Sequence, residues 1–101
     1  MLESSFGLTF FLKAPRKKNN LRYIYLRVIV DGIPKETSTK RKWDINRWDQ
    51  KAERAVGTKE DAKTTNFFLT TIETKVNQYR NDLLYAESSI TSQKIIDFIM
   101  G

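Results

Sequence analysis

The sequence predicts an α+β fold, a three-stranded antiparallel β-sheet packed against a long C-terminal α-helix. Three observations predict it. Three strand-like runs precede residue 44, the first alternating apolar and other residues with a period of two. An Asp31-Gly32 pair separates the second run from the third. Beyond residue 60, apolar residues recur at helical steps of three and four.

In the first run Phe6, Leu8, Phe10 and Leu12 alternate with Gly7, Thr9, Phe11 and Lys13. Ala14 to Asn20 is polar and contains Pro15, so it reads as a turn or loop. Leu21 to Val30 (LRYIYLRVIV) is rich in β-branched and aromatic residues, as strands are. Asp31-Gly32 suits a two-residue type I′ hairpin, because both central residues there need positive φ. The returning strand is Ile33 to Trp43.

That turn sets Val30 opposite Ile33. Counting back gives Val28 with Lys35, Arg27 with Glu36, Leu26 with Thr37, Tyr25 with Ser38, Ile24 with Thr39 and Tyr23 with Lys40. Side chains alternate between faces, so Ile24, Leu26, Val28, Val30, Ile33, Thr37 and Thr39 share a core face. Tyr23, Tyr25, Arg27, Glu36, Ser38, Lys40 and Lys42 share the other, which is aromatic and basic. A slip of one residue would bury Arg27 and Lys40.

Asp44 to Glu60 reads as irregular, with Trp43 ending the third strand and Trp48 folding back over the end of the core. A helix is expected from Asp61 to Glu87, with Thr65, Leu69, Ile72, Val76, Tyr79 and Leu83 as its apolar stripe and Phe68 broadening it. Thr91 is placed to N-cap a short helix, Ser92 to Met100. Ile95, Ile96 and Ile99 are expected to be exposed on it, as on the first helix of a further unit.

Composition narrows function. The chain of 101 residues has no cysteine and no histidine, which removes disulfides, thiolate metal sites and the commonest general base. No apolar run approaches the ~20 residues of a membrane span, and the N-terminus lacks signal-peptide features. These features fit a cytoplasmic setting. Of the net charge of +6, the segment Lys13 to Lys42 holds ten basic and two acidic residues. Such concentration is the electrostatic footprint of a polyanion binder.

The basic face has the dimensions of a major-groove reader, since a β-ribbon or small sheet fits that groove. Arg27, Lys40 and Lys42 would reach base edges or phosphates. Tyr23 and Tyr25 would bond phosphates or pack on sugars and thymine methyls, and Ser38 would permit close approach. Arg16, Lys17 and Lys18 would grip backbone phosphates from the loop. Each has a plainer role: Arg27 pairing with Glu36, tyrosines as strand formers, lysines as solubilising edge charges. A protein-docking module with incidental charge, or an RNA-binding domain, would also fit a basic domain with exposed aromatics.

The succession LRYIYLRVIVDG, TSTKRKW, RWD, Asn66-Phe67-Phe68-Leu69 and Ile90-Thr91 resembles the N-terminal arm-binding domain of tyrosine recombinases, in the form carried by integrases of Bacteroides-type mobile elements and conjugative transposons. At Lys40 the sequence departs from the glycine such domains often carry. The resemblance implies a non-catalytic accessory domain whose sheet lies in the major groove of arm-type repeats. Its implied partners are double-stranded DNA and the rest of the integrase chain, with no membrane, small-molecule substrate, metal or cofactor. The implied division is residues 1–88 as the arm DNA-binding domain and residues 89–101 as a linker and the start of a truncated helical core-binding domain. Strand exchange in that family needs an arginine–histidine–tyrosine constellation. A chain without histidine cannot hold it, so Tyr23, Tyr25, Tyr79 and Tyr85 are not its nucleophile.

Overall fold

The computed structural model describes residues 5–14 and 19–101. Strands β1 (Phe6–Leu12), β2 (Leu21–Val30) and β3 (Ile33–Asp44) form an antiparallel sheet in the order β1-β2-β3. A 3-10 turn (Ile45–Arg47) leads to a small ribbon, β4 (Trp48–Asp49) with β5 (Arg54–Ala55). Helices α1 (Glu60–Tyr85) and α2 (Ser92–Met100) complete the α+β fold.

The hairpin forms as the Asp-Gly pair predicts. Asp31 and Gly32 have φ of 50° and 82°, the positive values a type I′ turn requires. Ser5 ties β1 to this turn: its N–H donates to Asp31 Oδ1 at 3.2 Å, and its carbonyl accepts from Asp31 N at 3.3 Å.

The predicted β2–β3 register holds from Val30↔Ile33 to Tyr25↔Ser38 and then shifts. Tyr23 pairs with Lys42, not Lys40, and Ile24 faces a bulge spanning Thr39 to Arg41 instead of a simple partner. The cause is local. Lys40 adopts φ 64°, its N–H is turned onto Ser38 Oγ at 2.9 Å, and Thr39 Oγ1 donates to the Ile24 carbonyl at 2.7 Å. Two extra residues enter β3, as in an extended β-bulge. An even insertion preserves side-chain parity, so Lys42 stays on the same face as Tyr23.

The core lies between the sheet and the two helices. Phe10, Ile24, Leu26, Val28 and Val30 supply it from the sheet, and Leu69 and Val76 from α1. Ile33 departs from its predicted burial: it sits beside the hairpin turn on an edge strand and is 59% exposed. The isoleucines of α2 depart the other way. Ile95 is fully buried, Ile96 nearly so, and Ile99 packs against the same cluster, because α2 lies directly on β2, β3 and α1. Thr91 caps α2 as expected, accepting from Lys94 N at 3.1 Å.

The β4–β5 ribbon was not foreseen. It seals the free edge of β1 at Phe10, whose N–H donates to Glu53 Oε1 at 2.8 Å and whose carbonyl accepts from Gln50 Nε2 at 2.9 Å. Unpaired edges invite association, and two side chains here occupy the edge groups. The ribbon is held in turn by Arg47, whose carbonyl accepts from Trp43 Nε1 at 2.6 Å and from Val56 N at 2.7 Å. The Arg47 guanidinium lies 4.7 Å from the Trp43 ring and bonds both oxygens of Asp61, at 2.8 and 2.9 Å.

Candidate nucleic-acid interface

The face of the sheet turned away from the helices is built by alternation. With Phe10 buried, Thr9, Phe11 and Lys13 stand on the opposite side of β1. The β1–β2 register sets Thr9 opposite Arg27 and Phe11 opposite Tyr25. Across β2–β3, Arg27 meets Glu36, Tyr25 meets Ser38 and Tyr23 meets Lys42.

At the centre two aromatic rings and three charges interlock. Phe11 and Tyr25 are tilted against each other with centroids 5.9 Å apart. Lys13 Nζ lies 5.2 Å from the Tyr25 ring, and the Arg27 guanidinium lies 4.9 Å from the Phe11 ring. Glu36 joins the two cations: Oε2 accepts from Arg27 Nε at 2.8 Å and also from Nη2, while Oε1 accepts from Lys13 at 3.3 Å. The hydrogen bond from Arg27 is the main cause holding the Glu36 carboxyl below its ordinary value. Desolvation opposes it, and the bond from Lys13 adds to it. Glu36 is therefore ionised at neutral pH. At the far end, Lys42 Nζ lies 5.1 Å from the ring of Tyr23, itself 45% exposed.

The sequence-predicted site residues divide as follows. Tyr23, Tyr25, Arg27 and Lys42 share the outer face with Ser38. Ser38 also accepts from Lys40 N, so it shapes the bulge. Lys40 is exposed at the bulge and is not the cross-strand partner of Tyr23. Arg16, Lys17 and Lys18 lie outside the described residues. The expected alternative for Arg27, pairing with Glu36, is present, and pairing leaves the guanidinium on the outer face. Phe11 and Lys13 were missed as site residues, although the period of two in β1 already set them opposite Phe10. Arg41 turns to the helix side, where its guanidinium lies 3.9 Å from the Phe68 ring.

Among the described residues no cluster of three or more acidic, histidine or cysteine side chains could hold a metal ion, and no helix is long and apolar enough to cross a membrane.

Comparison with protein families matches the Arm DNA-binding domain over residues 10–96. The chain belongs to that family. Arm DNA-binding domains are DNA-binding units found in tyrosine recombinases and integrases. The matched span runs from the middle of β1 through the sheet, the β4–β5 ribbon and α1 into α2. No match was found among curated proteins or among solved structures. In this arm DNA-binding domain, then, one sheet face is committed to the core, and the other presents Lys13, Arg27 and Lys42 among aromatic rings.

Proposed function

We propose that the domain binds double-stranded DNA sequence-specifically by laying the outer face of its sheet in the major groove of arm-type repeats, as a non-catalytic accessory domain of a site-specific tyrosine recombinase. The observation that carries this reading is the gathering of Lys13, Arg27 and Lys42 with Phe11, Tyr23 and Tyr25 on the one broad face the helices leave open. A small sheet fits the major groove, which is about 12 Å wide.

Within that reading the residues have distinct work. Lys42, Lys40 and Lys13 neutralise phosphates, and Tyr23 and Tyr25 pack on sugars or thymine methyls. Ser38 lets the backbone approach. Arg16, Lys17 and Lys18 would add contacts to the phosphate backbone. Residues 89–101 would form a linker and the start of a helical core-binding domain, and the strand-exchange chemistry would lie in a separate domain. The setting is the bacterial cytoplasm, with the recombinase on its DNA.

Single-stranded nucleic acid is favoured less. Its binding relies on aromatic faces open to stacking bases. Here Arg27 lies over Phe11 and Lys13 over Tyr25, so a cation already covers one face of each ring.

Fluorescence anisotropy of labelled duplexes in a salt series, with unlabelled RNA as competitor, tests the proposal. The expected result is duplex binding whose log affinity falls by about 0.9 per phosphate contact for each decade of salt, and which RNA competes poorly. Absence of duplex binding even at low salt would refute it and point to a protein-docking module.

A further inference from the structure

A carboxylate on a face that meets phosphates is repulsive unless it serves that face. Glu36 stands there, ionised, at the centre of the sheet. Its Oε2 accepts from Arg27 Nε at 2.8 Å and from Nη2, and the Phe11 ring lies 4.9 Å from the same guanidinium. Arg27 is thus held along one edge by Glu36 and on one face by Phe11. Nε and Nη2 form the side edge of the guanidinium fork. The other edge, Nη1 with the second Nη2 hydrogen, makes no hydrogen bond to any described residue. Two parallel N–H donors on a fixed plane complement the O6 and N7 acceptors that guanine presents in the major groove. The neighbouring carboxylate also repels any phosphate that would compete for that edge.

We infer that Arg27 is a base-reading residue of this domain, specific for a guanine, and that Glu36 and Phe11 are its positioning residues. They fix its plane before binding and steer it from phosphate to base. This deepens the sheet-face reading proposed above and rests on it. Preorganisation matters because a mobile arginine must lose its rotamer freedom on binding, whereas a clamped one has already lost it.

The test is selection of sites from randomised duplexes by the wild-type chain and by Arg27→Lys and Glu36→Gln. Affinity is then measured for the selected site and for the same site with the implicated G·C pair changed to A·T. The wild type is expected to select a fixed guanine and to prefer it by about 5- to 150-fold. Arg27→Lys keeps the charge but loses the planar two-donor edge, so binding to unrelated duplex should stay within about twofold while the guanine preference falls. Glu36→Gln should bind unrelated duplex more tightly and discriminate less. Retention of the wild-type preference by Arg27→Lys, or a wild-type site with no fixed guanine, would overturn the inference while leaving the sheet-face reading intact. If Glu36→Gln lowers the Tm but leaves base preference unmoved, its positioning role is refuted. Failure of the wild type to bind any duplex would overturn the underlying reading itself.

Discussion

The side-chain amide of Asn66 pairs with the backbone of Ala55 in both directions, accepting from Ala55 N at 2.8 Å and donating to Ala55 O at 3.0 Å. One amide on α1 thereby acts as an extra residue of strand beside β5. Ala55 is buried, so water cannot readily replace these bonds. Asn66→Ala is expected to destabilise the domain by about 1–3 kcal/mol, the cost of leaving such groups unpaired. Asn66→Asp should not rescue it, because a carboxylate oxygen would then face the Ala55 carbonyl. Urea denaturation of the three proteins checks this. Equal midpoints for wild type and Asn66→Ala would show that the pairing contributes nothing.

Acid should weaken the domain through the carboxylates that accept from arginine. Bonding to Arg47 is the main cause lowering the Asp61 pKa, and bonding to Arg27 is the main cause lowering that of Glu36. A pKa depressed in the folded state adds stability that is fully present above the unfolded carboxylate range, about 4. That stability is lost as pH falls through the lower folded values. The Arg47–Asp61 pair is solvent-exposed and the Arg27–Glu36 pair part-buried, and neither is shielded enough to be more than individually weak. The urea midpoint is therefore expected to fall below about pH 4, and to fall less steeply in Asp61→Asn than in wild type. Superimposable pH profiles would show that the Arg47–Asp61 pair is energetically silent.

How far the chain is legible in advance follows from which residues carry a local signal. Asp31-Gly32 announces its turn because few other pairs accept two positive φ values, and that turn alone fixes five further cross-strand pairs, down to Tyr25↔Ser38. The lysine at position 40 gives no such signal for its bulge, since nothing about lysine suggests φ 64°; only the glycine that similar domains often carry there hints at it. Two-residue strands such as β4 and β5 are too short to show a period, and Gln50 and Glu53 read as ordinary surface residues until Phe10 is found between them. On the candidate interface, alternation in β2 and β3 placed Tyr25, Arg27 and Lys42 correctly. Phe11 and Lys13 required knowing that β1 lies beside β2. Their partners are distant in sequence, and only the folded sheet brings them to Tyr25 and Glu36.

Lys40 offers a separable test of backbone and charge. A non-glycine residue in the left-handed region carries a steric cost of roughly 1 kcal/mol, which glycine removes at some cost in unfolded-chain entropy. Lys40→Gly is therefore expected to match or exceed wild-type stability by up to about 1 kcal/mol. Lys40→Val should be clearly destabilised, because β-branched residues tolerate this conformation least. Under the sheet-face proposal, Lys40→Gly should also reduce the salt slope of DNA binding by about 0.9. Thermal melts together with anisotropy separate the two effects. A Lys40→Val protein as stable as Lys40→Gly would mean the bulge is not held in this conformation.

The packing of α2 makes the division of the chain near residue 88 testable. Ile95 is fully buried in the cluster that holds Ile24, Leu26 and Val28, and Phe98 stacks on Tyr79 of α1 with centroids 4.2 Å apart. Residues of α2 that touch three other elements should unfold with them. Ile95→Ala is expected to cost about 2–5 kcal/mol in a single cooperative transition. Gln93→Ala, on the solvent side of the same helix, should cost less than about 0.5 kcal/mol. Amide exchange in β2 and β3 reports the same coupling, because in Ile95→Ala the slowest sheet amides should exchange faster by the lost stability. Unchanged sheet protection would mean that α2 folds apart from the sheet. Accelerated exchange would make α2 energetically a part of the sheet's own core, coupled to β3 and its bulge.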